Sequence, residues 1–115
     1  MLAVVKSTIS TATPRKPYYP GAPDRHESIK QVYQNCEDLD DSDDCELPRL
    51  LITNLDNDNA NEYLFNQEAF VGALGQTSLP GSNPSEYLKN AVQFCNENLW
   101  GTLGANILIL SLINI

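Results

Sequence analysis

Residues 83–113 read NPSEYLKNAVQFCNENLWGTLGANILILSLI, and this stretch decides the fold class. Asn83 suits a helix N-cap, Pro84 suits the first helical position, and Glu86 completes a capping box. Tyr87, Leu88, Ala91, Val92, Cys95 and Leu99 then fall on one helical face, so Cys95 reads as a core residue. Gly101 is placed to stop the helix. From Ala105 the chain turns apolar, and Ile107 to Ile113 reads as a buried strand, far short of the roughly 20 residues that span a bilayer. A helix leading into such a strand is the crossover of a parallel sheet.

Upstream, Leu50 to Leu55 follows Pro48 as a short buried strand. Asp56 to Glu62 is a polar turn, and Val71 to Leu79 predicts a second strand with glycines at 72 and 75. Residues 47–115 therefore read strand, turn, strand, helix, strand, and the fold class is α/β. Residues 1–36 predict a strand, a loop and a helix. Residues 2–12 are rich in Val, Ile, Thr and Ser, which suits extended chain. Four prolines between Pro14 and Pro23 make an irregular loop. Asp24-Arg25-His26-Glu27 has capping-box spacing, and Ile29, Val32, Tyr33 and Cys36 line the helix that follows.

The charge is concentrated. The 115 residues hold 15 acids and 7 bases, a net charge of −8. Residues 37–62 carry ten of those acids and one base, Arg49, leaving the remainder close to neutral. This acidity excludes a nucleic-acid surface, which needs clustered Lys and Arg. The run 37–46 predicts a solvated loop extended by self-repulsion. It does not form a calcium loop. Registers starting at Asp38, Asp40 and Asp56 put Asp43, Cys45 and Asn61 where Gly is required, and Arg49, Leu51 and Gln67 where Glu is required.

Cys36, Cys45 and Cys95 cannot all pair with one another, and reduced thiols are expected. With one histidine, His26, and no C-x-x-C, no metal site is expected. The apolar part of Met1-Leu2-Ala3-Val4-Val5-Lys6 is too short for a signal peptide, so a cytoplasmic location without membrane attachment is expected. Gly72-Ala73-Leu74-Gly75 has the wrong glycine pattern for a dinucleotide fingerprint or a phosphate loop. Glu68 stands out, because it lies in the largely apolar and aromatic stretch Leu64-Phe65-Asn66-Gln67-Glu68-Ala69-Phe70-Val71. A carboxylate there must be paired, hydrogen-bonded or functional.

Gln67-Glu68-Ala69-Phe70-Val71-Gly72 resembles the E-E-x-F-G-P motif of the aldehyde dehydrogenase superfamily. In that family a strand, a helix ending near A-N-x-x-x-Y-G-L and a further strand follow the motif. Cys95-Asn96-Glu97-Asn98-Leu99-Trp100-Gly101 and Ala105-Asn106-Ile107-Leu108-Ile109 take those places here. The likeness covers residues 47–109 and points to a divergent, longer branch, to which Pro17-Tyr18-Tyr19-Pro20-Gly21 is also similar. The resemblance implies a section of the catalytic domain, with an incomplete sheet, of an enzyme that oxidises an aldehyde to a carboxylic acid. It implies NAD or NADP as cofactor, a cysteine thiohemiacetal on the path, and a homo-oligomer for the intact enzyme. The second Glu of the motif binds the nicotinamide ribose hydroxyls and the Phe packs beside the nicotinamide ring, roles that fall on Glu68 and Phe70. The plainer readings are an ion-paired Glu and a core Phe.

Gln67 departs from the first Glu of the motif and Val71-Gly72 from its Gly-Pro, so the loop after Phe70 is expected to differ in shape. No cysteine here has the G-Q-x-C setting of the family nucleophile, and the Rossmann domain is not represented. No catalytic residue is therefore assigned. The expectation is a fragment that is inactive alone, with an unpaired apolar edge at Ile107 to Ile113. The alternative is a non-enzymatic acidic module whose residues 37–62 engage a basic partner.

Overall fold

The computed structural model describes residues 1–40, 46–101 and 104–107. Within them the chain is a small mixed α/β domain with three helices, α1 (Leu2–Thr11), α2 (Ala22–Val32) and α3 (Pro84–Glu97). A three-stranded sheet runs in the order β1 (Glu37–Asp38), β2 (Leu50–Ile52), β3 (Ala73–Gly75). The predicted final strand falls outside the described residues from Leu108 onward, as does Cys45. Gly104 to Ile107 is exposed and in no regular element.

β2 is the middle strand because it is the most apolar, and all three of its residues are buried. Glu37 and Asp38 pair antiparallel with Leu51 and Leu50. Leu50, Leu51 and Ile52 pair in parallel with Ala73, Leu74 and Gly75. A parallel pair requires a crossover of a dozen or more residues. Here residues 53–72 supply it through a short 3₁₀ turn, Tyr63–Phe65, while the strand expected after the crossover helix α3 lies outside the described residues from Leu108 onward. Ile29, Tyr33, Leu50, Ile52, Leu55, Phe65 and Phe94 form the core.

Residues 2–11 are helical, contrary to the strand expected from their β-branched content. The spacing explains it: Leu2, Val5, Lys6 and Ile9 are half-buried while the positions between them are exposed. That is a repeat of 3.6, and periodicity overrides propensity. α2 starts earlier than the Asp24 box suggested. Gly21, at φ 74°, caps it, a conformation that glycine reaches without strain, and Pro23 occupies the first turn. Asp24 and Glu27 are consequently inside the helix and make no cap.

The acidic run also departs from expectation over its described part. It is tied to cations that the fold brings to it: Lys6 to Glu37, Lys30 to Asp38 at 2.9 Å, Arg49 to Asp40, and Lys16 to Glu46 at 3.3 Å. Asp40, with a side chain 2% exposed, also accepts from the Arg49 backbone N–H at 2.7 Å and from Arg49 Nε at 2.8 Å. Repulsion along the sequence is offset by attraction across the fold.

At α3 the local signals hold and the packing does not follow. Asn83 Oδ1 accepts from the Glu86 backbone N–H at 3.0 Å, as an N-cap should. The Glu86 carboxylate turns instead to Ser82, whose backbone N–H donates at 2.9 Å and whose hydroxyl also donates. These bonds hold Glu86 below the usual carboxylate range. Phe94 is the buried residue of the helix, set edge-on to Phe65 with ring centroids 5.1 Å apart. The expected core face is largely outward: Tyr87, Leu88, Val92 and Cys95 are exposed, while Ala91 and Leu99 are half-buried. The helix stops at Glu97 with Asn98 as its C-cap, three residues before Gly101.

Candidate functional site

Residues 67–72 form the last part of the crossover, ending where β3 pairs with β2. Gly72 O accepts from the Leu50 N–H at 2.8 Å, which fixes the end of this loop against the sheet. Phe70 lies just before that anchor with φ 45°, a left-handed conformation that is uncommon for a bulky residue. Its carbonyl accepts from Arg25 Nη2 at 3.3 Å, and the same guanidinium lies 5.9 Å from the ring centroid. On another side Tyr19 meets the ring edge-on at 5.4 Å, and Tyr19 in turn stacks on Tyr18 at 4.5 Å. Phe70 is therefore held in place while remaining 48% exposed.

Glu68 is also exposed, and it makes no hydrogen bond among the described residues. Its carboxylate lies along the backbone of Gly101, where a Cβ would stand 3.3 Å from Oε1. Gly101 has φ 120°, so a side chain there would be both strained and crowded against Glu68. The Trp100 N–H donates to Phe65 O at 2.7 Å and brings this post-helix segment to the loop.

The two residues singled out by sequence open on different clefts. Phe70 lines one of about 800 Å³ with Tyr18, Tyr19, Arg15, Lys16 and Arg49. Glu68 lines one of about 400 Å³ with Trp100, Leu99, Phe94 and Leu64. Tyr19 lines the first of these clefts. Its hydroxyl shares a 3.3 Å hydrogen bond with that of Tyr18, which chiefly holds its proton above the usual phenol range, and the charge of Glu68 adds to the effect. Between them the clefts offer an ionisable acceptor, exposed aromatic faces and cations, which is binding chemistry.

Sequence reasoning passed over the partners of Phe70. The signal was available in Arg15-Lys16-Pro17-Tyr18-Tyr19, cations beside paired tyrosines in a proline-rich segment. Arg25 gave none, because its place over Phe70 depends on the turn of α2 that carries it.

A second polar centre lies behind the site and is structural. The Tyr33 hydroxyl donates to buried Glu62 and accepts from the Leu64 N–H at 3.1 Å. Burial first, and then the bond to Glu62, push the Tyr33 phenol well above its usual range. His26 Nε2 donates to Pro48 O at 2.8 Å, which sets α2 against the start of β2. Cys36 and Cys95 are free thiols. Among the described residues no three His, Cys, Asp or Glu side chains gather to hold a metal ion, and no helix is long and apolar enough to cross a membrane. No family model, curated protein or solved structure matches the chain.

Proposed function

We propose that the chain is a section of the catalytic domain of an aldehyde dehydrogenase, an enzyme that oxidises an aldehyde to a carboxylic acid with NAD or NADP. The observation that carries this reading is the exposure of Glu68 and Phe70 on one anchored loop. A paired Glu and a core Phe were the plain alternatives. Glu68 instead has no hydrogen-bond partner among the described residues, and Phe70 keeps an uncommon backbone conformation with half its surface open.

The residues suit the cofactor's chemistry. The Glu68 carboxylate is acceptor-only and can take both vicinal hydroxyls of a ribose. Phe70 offers an aromatic face against which a nicotinamide ring can be held. Glu68 and Phe70 sit two residues apart on one loop and line different clefts, so a cofactor held by both would have to reach both. When bound, NAD or NADP would supply the hydride acceptor for the oxidation, with Glu68 holding its ribose and Phe70 its nicotinamide ring. The exposed apolar face of α3 further supports a section of a larger domain, because that face has the pattern of a buried one.

The test is genomic. The reading frame on the 5′ side of the Met1 codon is expected to encode a Rossmann domain and a cysteine in a G-Q-x-C setting. A frame without either overturns the proposal. For the acidic-module alternative, Glu37, Asp38, Asp40 and Glu46 pair with the chain's own cations, while Asp56 and Asp58 make no ion pair among the described residues.

A further inference from the structure

We infer that the cleft beside Phe70 binds a planar aromatic monoanion, an aryl carboxylate. Its volume of about 800 Å³ falls within the roughly 300–1,000 Å³ of small-molecule sites. Its lining sets it apart from the rest of the molecule. In a chain of net charge −8, three of the seven Lys and Arg residues line this cleft, and among the described residues none of its lining is Asp or Glu. Exposed rings of Tyr18, Tyr19 and Phe70 share the same walls. A neutral apolar ligand would leave the cations unused, and a small inorganic anion would leave the rings in water. A ligand with both a ring and a negative charge uses both.

The charge state of the cleft sets the charge of the ligand. Lys16 is paired with Glu46 and Arg49 with Asp40. Arg15 makes no ion pair among the described residues. The Arg15 guanidinium matches one carboxylate, which it can take in a two-point, fork-to-fork contact. A phosphate monoester, near −2 at neutral pH, would bring more charge than the cleft balances. For the ring, Tyr19 and Phe70 already meet edge-on at 5.4 Å, the arrangement in which a third ring can add by stacking or by its edge. The uncommon φ of Phe70 fits this role, because such conformations persist where a side chain must be presented to a ligand.

The binding assignment stands on the cleft alone. Naming aromatic aldehydes as the substrate class, with the aryl carboxylate as their oxidised product, rests in addition on the aldehyde dehydrogenase reading.

A fluorine NMR titration of the full chain with 4-fluorobenzoate tests the assignment. The probe resonance should broaden on adding protein and recover on adding benzoate. The uncharged 4-fluorobenzamide and, by competition, the non-aromatic cyclohexanecarboxylate should bind at least about tenfold more weakly, a difference of about 1.4 kcal/mol. Arg15→Gln, at an exposed position, should lose the same factor, and Phe70→Leu, checked for folding by circular dichroism, should lose it too. No broadening at millimolar probe, equal binding of the benzamide, or undiminished binding by Arg15→Gln would each overturn it. The genomic test bears on the enzyme reading and the titration on the cleft, so failure of one is not failure of the other.

Discussion

α2 and α3 are both amphipathic and both carry proline in the first turn, but they are held by different means. α2, the more polar helix, buries Ala22, His26 and Ile29, and its partners are distant in sequence. His26 bonds to Pro48, Arg25 to Phe70 and Lys30 to Asp38. Tyr33, at its C-terminal end, reaches Glu62. α3, the more apolar helix, is secured at its start by Asn83 and Ser82 and touches the core through Phe94. The difference shows that an apolar stripe states which face can be buried, while the rest of the fold decides whether anything covers it. It also separates the molecule into an anchored part, which carries the Phe70 loop, and a locally stabilised helix beside it.

The largest test of this comparison is Ile29→Ala in α2. Ile29 is 1% exposed and belongs to the core, so truncation removes buried surface and leaves a cavity. Losses for this substitution run from about 2 to 5 kcal/mol, and about 3 kcal/mol is expected here from urea unfolding. A loss below about 1 kcal/mol would mean that α2 is no better anchored than α3.

Tyr33→Phe is expected to cost less, about 2 kcal/mol, because it leaves buried Glu62 without its donor and the Leu64 N–H without its acceptor. The pH dependence identifies the cause. The folded state raises the Tyr33 pKa above the ordinary 10.0, so it favours the protonated phenol. That stabilisation is whole below about pH 10 and is lost as the pH rises toward the folded value. The stability gap between the natural protein and Tyr33→Phe should therefore be constant through neutral pH and narrow above about pH 10. A gap that does not change in strong alkali would remove the hydrogen bond from the explanation.

How far the sequence could be read follows the same division between local and distant contacts. The start of α3 was legible because Asn83 and Pro84 act within one turn. β2 was legible because three successive apolar residues after Pro48 have few other uses. The register of α2 was obscured by Asp24 and Glu27, which have the right spacing for a cap while Gly21 has the right backbone. In α1 the β-branched residues masked the spacing of Leu2, Val5 and Ile9. Nothing local foretells that Lys6, Lys16, Lys30 and Arg49 converge on the acidic run, since those pairings require the finished fold. The candidate site divides in the same way. Glu68 and Phe70 stood out through their neighbours in sequence, but the separation of their clefts depends on the left-handed turn at Phe70 and on the approach of Tyr19 and Gly101.

The smallest effect is expected at α3, and it tests the comparison from the other side. Val92 occupies the middle of the apolar stripe yet is 50% exposed. If α3 is stabilised by its cap and Phe94 alone, Val92→Ser exchanges one weak helix former for another at a half-open position. Neither propensity nor burial then changes much, and the stability of the chain should stay within about 0.5 kcal/mol in urea unfolding. A loss of about 1.5 kcal/mol or more would mean that Val92 is covered in solution, and the chain's association state, measured by sedimentation, would then show whether a second copy covers it. In an intact enzyme of the proposed kind the same substitution should cost that larger amount, because the stripe would there face the remainder of the domain. The two measurements together turn the exposed face of α3 into a measure of how much of its natural surroundings this chain contains.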